Sequence, residues 1–282
     1  MSKNKKSKKN TLLWKIVNQE TSVESYIYGT VHLRDERVYF LLDKIKELIE
    51  NSDVFIAEYN LDDAGNPEIM NMLQLPDGKH IKDLIPEKKY KKLHKQILKS
   101  FGVDLDRFGY FKPMVIENML TEMIFDTDYE FPMDVILWNY AKELDKEMQG
   151  AESTDGQIEI MRKLSVDQQL KSLISIGRNP SKFKKKTKKL VSYYIDQNLR
   201  ELHKRSLKSL GKLKKILVYD RNIRIVDTID KYAKNKKVFA AIGAGHLFGE
   251  KGILRLLKQK GYKVKPVIFN YSGELPEQEL KN

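Results

Sequence analysis

Val238-Phe239-Ala240-Ala241-Ile242-Gly243-Ala244-Gly245-His246 is the segment from which the architecture is best read. Its first five residues are apolar, too short for a stable helix, and include two β-branched side chains and a ring, the composition of a buried strand. The run empties into glycines, which permit a sharp turn and close approach of backbone to a ligand, and then presents an imidazole. Working outward, Tyr26-Ile27-Tyr28-Gly29-Thr30-Val31-His32 has the same layout near the other end of the chain. Val54-Phe55-Ile56-Ala57 is a third apolar run with Glu58 at its exit, and the brief extended segment Lys146 to Ala151 leads to Glu152. Ligands in open α/β sheets bind outside the carboxyl ends of the strands. If these strands are parallel neighbours, His32, Glu58, Glu152 and His246 converge at one rim. Two imidazoles and two carboxylates there suit a divalent metal of the zinc, manganese or cobalt kind.

The segments between these strands read mostly as helix. Leu12 to Val17 and Ser25 to Tyr28 form an expected hairpin across Gln19-Glu20-Thr21-Ser22. Val38, Leu41, Leu42, Ile45 and Ile49 share one helical face, and Met133, Ile136, Leu137, Tyr140, Ala141 and Leu144 repeat more cleanly still. Asp62 to Gly78 reads as loop with room for one helical turn, His80 as the opening of a charged helix through about Ser100, and Pro113 to Phe125 as another helix. Thr154 with Gln157 matches a capping box. A helix from Glu250 to Lys260 stops at Gly261, and Tyr262 to Phe269 is the last strand. The expected fold is α/β (or α+β): a central mixed, largely parallel sheet from both chain ends, with a long helical section embedded at about 65–235. Residues 1–10 read as a disordered basic tail, 11–275 as one domain and 276–282 as a second tail.

With no cysteine in 282 residues, thiolate metal sites, disulfides and cysteine nucleophiles are excluded, so a metal must be held by His, Asp or Glu. The formal charge of +13 is concentrated in two runs, Lys3 to Lys9 and Lys182 to Lys189. The first holds no aromatic residue and the second a single one, Phe183, short of the repeated aromatics of a base-stacking surface, so a solvated tail and helix face are expected and nucleic acid is not an expected partner. Lys15 interrupts the first apolar stretch, and no run of about 20 apolar residues occurs, so neither a signal peptide nor a membrane anchor is read and the location expected is cytoplasmic. There is no GxSxG elbow, HExxH helix, GxGxxG loop or EF-hand spacing around Asp62-Asp63 or Asp126-Thr127-Asp128. Trp14 and Trp138 read as core, and His80, His94 and His203 as surface residues in charged helices.

Five blocks, in order, resemble the TraB/GumN/TIKI group, related to the erythromycin-esterase and ChaN-like proteins. They are Tyr26 to Leu33, Val54 to Glu58, Met133-Asp134 through Gly150 to Ser153 with Gln157, Asp220-Arg221-Asn222, and Ala241 to Gly249 with Gly252 and Gly261-Tyr262. The resemblance implies a site of His32, Glu58, Glu152, Arg221 and His246, and metal-dependent cleavage of peptide or ester bonds. In that reading His32 and His246, with one glutamate (Glu58 in the primary assignment), hold a Mn, Co or Zn ion. The other glutamate serves as general base or acid, and Arg221 stabilises oxyanion charge. The alternatives are a ligand- or haem-binding module of the ChaN-like kind and a regulatory interaction protein. Glu58 could instead pair with Arg221 as a structural ion pair, and Glu152 could serve as a cap.

Overall fold

The computed structural model describes residues 10–269; residues 1–9 of the expected basic tail and the expected 276–282 tail lie outside the described residues. The described residues separate into two compact units, one built from 10–58, 127–151 and 192–269, the other from 59–126 and 152–191.

The first unit is organised by a six-stranded sheet. Its strands are β1 (Leu13–Asn18), β2 (Glu24–Thr30), β3 (Val54–Tyr59), β4 (Glu147–Glu152), β5 (Val238–Gly243) and β6 (Tyr262–Pro266), in spatial order β4-β3-β5-β2-β1-β6. β5 runs parallel to both neighbours, with Val54 opposite Val238 on one side and Thr30 opposite Gly243 on the other. β1 is antiparallel to β2 and to β6. The fold is thus α/β with a mixed sheet drawn from both chain ends. Central placement explains why β5 is apolar throughout: it is covered on both faces and has no polar side to alternate. Phe239 stacks on Phe55 at 5.9 Å, and Trp138, on the helix Met133–Glu143, meets Phe55 edge-on at 6.1 Å. The β1–β2 turn is held by Asn18, whose Oδ1 accepts from the N–H groups of Glu20 and Thr21.

Several boundaries differ from expectation, for local reasons. Val38 lies in a separate 3-10 turn, Glu36–Val38, capped by Asp35, and the following helix is Leu42–Glu50. The last helix is Ile253–Gln259, starting later than expected because the extended Gly252 (ψ 153°) is its N-cap. β6 ends at Pro266, and beyond it Val267 N–H still donates to Leu13 O.

The helices of the second unit are accompanied, among the described residues, only by the final residues of β3 and β4 and an isolated bridge between Gln74 and Phe111. Its core includes Ile81, Ile97, Leu105, Ile116, Leu120 and Leu173, all fully buried. The stretch expected as loop carries the helix Pro67–Leu73 between two 3-10 turns. The single charged helix expected from His80 is two, Ile81–Leu84 and Glu87–Phe101, because Ile85 before Pro86 is forced to extended geometry. His80 is not a surface residue: it is 1% exposed, and its Nδ1 accepts from Lys82 N–H as the cap of the first piece. Ser153, not Thr154, caps the helix Thr154–Lys163, while Thr154 donates to Asp63. Within the Lys182–Lys189 run, Lys184 lies over the Phe101 ring and donates to Ser100 O, and most of the remaining lysines are exposed. Among the described residues, no helix is long and apolar enough to cross a membrane.

Candidate metal centre

Glu58 sits at the carboxyl end of β3, where the apolar run gives way. Its Oε1 accepts the Gly243 N–H at 2.7 Å, and its Oε2 accepts from Arg221 Nη2 at 2.7 Å. His246 Nε2 lies 3.8 Å from Oε1. A Cβ on Gly243 would stand 2.7 Å from that same oxygen, so the strand exit must be glycine for the carboxylate to reach the backbone. Burial pushes the Glu58 carboxyl up, but His246, Arg221 and the Gly243 N–H together outweigh it and hold the pKa down at about 2.

His246 closes the 3-10 turn Ala244–His246 that follows β5 and is buried. Its Nδ1 is 2.6 Å from Asn222 Oδ1, while Asn222 Nδ2 donates to the carbonyls of His246 (3.2 Å) and Lys251 (2.7 Å). Those two donations orient the amide, leave Oδ1 as acceptor, and so assign the ring proton to Nδ1. The other ring nitrogen, Nε2, then faces Glu58. Arg221 and Asn222 open the helix Asp220–Ala233 after a π-helical turn, Lys215–Tyr219. Adjacent residues diverge by about 100° around a helix, so one side chain reaches Glu58 and the next reaches the His246 loop.

His203, expected at the surface, is partly buried against this loop. Its Nδ1 lies 3.3 Å from Gly245 O, its ring meets Phe248 edge-on, and burial holds its pKa below the usual value. His94, also expected at the surface, is partly buried in the second unit.

His32 follows β2 by two residues, and the Thr30–Gly243 register brings the exits of β2 and β5 side by side. Its Nδ1 is 2.9 and 3.0 Å from the two carboxylate oxygens of Asp134, in the first turn of the helix Met133–Glu143. The His32 side chain is 57% exposed. Glu152 ends β4 and is buried. Direct contact therefore joins Glu58, Arg221 and His246, and His32 is held from Asp134. Asp134 and Asn222 had no role assigned from sequence. The available signal was their place in the Met133-Asp134 and Arg221-Asn222 blocks, as residue types able to accept from an imidazole N–H.

The TraB/PrgY/gumN family model matches residues 12–266. The chain belongs to this family. Among curated relatives, it is 22% identical to "Metalloprotease TIKI2" of Danio rerio, over 93% of this chain and 63% of that protein. It is 23% identical to "Metalloprotease TIKI1" of Homo sapiens, again over 93% and 63%. A "Metalloprotease TIKI homolog" of Nematostella vectensis is 23% identical over 96% of this chain and 68% of the relative. The chain thus spans less than two thirds of the length of the first two relatives.

In this TraB/PrgY/gumN protein one donor pair, His246 Nε2 and Glu58 Oε1, is spaced for a divalent cation, whereas among the described residues His32, Glu58 and His246 do not bring three ligand atoms within 4.8 Å of one another. Two bonds of about 2.1 Å set ligands about 3.4 Å apart at a tetrahedral angle and about 4.2 Å apart when opposed, a range that contains the 3.8 Å between His246 Nε2 and Glu58 Oε1. Both imidazoles are fixed through Nδ1, by Asn222 and by Asp134, the arrangement that orients metal-binding histidines for coordination through Nε2.

Proposed function

We propose that this TraB/PrgY/gumN protein is a metal-dependent hydrolase that cleaves a peptide bond, or an ester, with a divalent ion held by His246, His32 and Glu58. The observation that carries this reading is the His246 ring, locked by Asn222 so that Nε2 faces an ionised carboxylate at 3.8 Å. The names of the TIKI relatives as metalloproteases support it. Such an ion polarises a water or carbonyl and makes hydroxide available near neutral pH.

The protein's own groups divide the remaining work. A carboxyl held at about 2 is a poor proton acceptor at neutral pH, so Glu58 suits the ligand role rather than the base role. Arg221 neutralises Glu58 in the resting state and supplies a cation beside the oxyanion that forms during attack.

The test is hydrolysis of a mixed peptide library by the full chain with Mn²⁺, Co²⁺ or Zn²⁺, read by mass spectrometry beside metal analysis. Cleavage abolished by chelator and by the His32→Ala/His246→Ala double variant is expected. Metal content unchanged in the double variant would remove the ligands, and a fully loaded protein that cleaves neither peptides nor ester substrates would remove the activity.

A further inference from the structure

We propose that the helical unit carries a second divalent-cation site, formed by His94 Nδ1 and the carboxylates of Asp104 and Asp106. None of these residues takes part in the Glu58–His246 pair. His94 lies in the helix Glu87–Phe101, which ends at Gly102 in the left-handed region (φ 72°). That turn sends the chain back with Asp104 as the cap of the short helix Leu105–Phe108. His94 Nδ1 is buried and makes no hydrogen bond. It faces Asp104 Oδ1 at 3.7 Å and Asp106 Oδ2 at 3.8 Å. Both separations are too long for hydrogen bonds. They exceed by only a few tenths of an ångström the about 3.4 Å that two metal–ligand bonds span at a tetrahedral angle. The three donor atoms lie within 4.8 Å of one another.

The surroundings favour coordination over accident. A buried ring nitrogen without a partner is uncommon in a native fold and calls for a bound group to explain it. Tyr90 O–H donates to Asp106 Oδ1 at 2.6 Å, which orients that carboxylate with Oδ2 towards His94. The Asp106 N–H, at 2.9 Å, similarly steadies Asp104 Oδ1. Tyr90, His94 and Asp106 line a cleft of about 400 Å³ with Lys82, Glu87 and Lys91. Lys91 is paired with Glu87 at 2.6 Å, so its charge is largely met there. The two aspartate side chains are 47% and 67% exposed, leaving room for water to complete the coordination sphere. One imidazole with two carboxylates and no sulfur suits zinc, cobalt or manganese. The ion would tie the middle of the helix Glu87–Phe101 to the turn that follows it.

Co²⁺ alone, titrated into the full chain and followed by calorimetry and by its visible absorption, tests the site. His94→Gln and Asp104→Asn are the variants, asparagine being as good a helix cap as aspartate. Each is expected to weaken one class of Co²⁺ binding at least about 10-fold. His246→Ala is expected to leave that class intact, so its loss and the loss of the proposed catalytic ion are read separately. Identical isotherms for the parent and both variants would overturn the proposal. So would an unchanged His94 imidazole NMR signal on metal addition.

Discussion

At the scale of the residue, Asn222 makes two kinds of bond with one amide. It accepts from the His246 ring and donates to the carbonyls of His246 and Lys251, all without exposure to water. Asn222→Ala leaves two carbonyls and a ring N–H unmet, and a loss of about 2–4 kcal/mol in denaturant unfolding is expected. Metal affinity is expected to fall roughly 10- to 100-fold in the same variant. Unchanged affinity would mean that the orientation of the ring is irrelevant to metal binding. Glu58 makes a prediction about pH. Its carboxyl is held at about 2 in the fold against an ordinary value of 4.5, so its contribution to stability is complete above about 4.5 and disappears as pH falls through about 2. Unfolding midpoints measured from pH 5 to 2 should fall less steeply in Glu58→Gln than in the parent.

At the scale of the element, the loop leaving β5 depends on glycine at two positions for different reasons. Gly243→Ala would drive a methyl into the Glu58 carboxylate, so its acid-side stability profile should come to resemble that of Glu58→Gln. Gly249 has φ 99°, and a Cβ there would meet His203 Nε2 at 2.4 Å. Gly249→Ala should cost about 1–3 kcal/mol in thermal unfolding from backbone strain, with the clash added. Adding His203→Ala should restore only the clash; full restoration would show that backbone strain at this position is negligible. Strand β5 is readable because it is one unbroken apolar run, and the helix Met133–Glu143 because it follows one period throughout. The charged segment after His80 was not read as two helices, because its side-chain pattern continues across Pro86 while its backbone cannot. His80 itself was misjudged because a capping role depends on which nitrogen meets which N–H, and composition is silent about that.

At the scale of the whole molecule, two cores serve two kinds of architecture. Trp138 is 2% exposed against the sheet of the first unit, and Leu173 is fully buried among the helices of the second. Trp138→Ala should cost about 3–5 kcal/mol and Leu173→Ala about 2–5 kcal/mol. Hydrogen exchange should localise the damage. The first substitution is expected to speed exchange in β3 and β5, and the second in the helices Glu87–Phe101 and Val166–Arg178. Uniform acceleration across both units in either variant would count against separate cores.

What the sequence settled by itself is whatever repeats or spaces locally: apolar runs that make buried strands, the 3.6-residue stripe of the Met133 helix, two glycine–histidine exits, and ordered blocks shared with a family. What only tertiary structure decided is which partner each side chain meets. Arg221 reaches Glu58 across 163 positions, the Gly243 N–H reaches it across 185, and Asp134 reaches His32 across 102. Such contacts leave no periodic trace, because they arise where the sheet brings remote segments within bonding distance. The same holds in the helical unit, where His94 looks like any charged-face residue until the turn at Gly102 brings two aspartates beside it. Local chemistry writes the elements; burial and chain return determine which of their polar groups face one another.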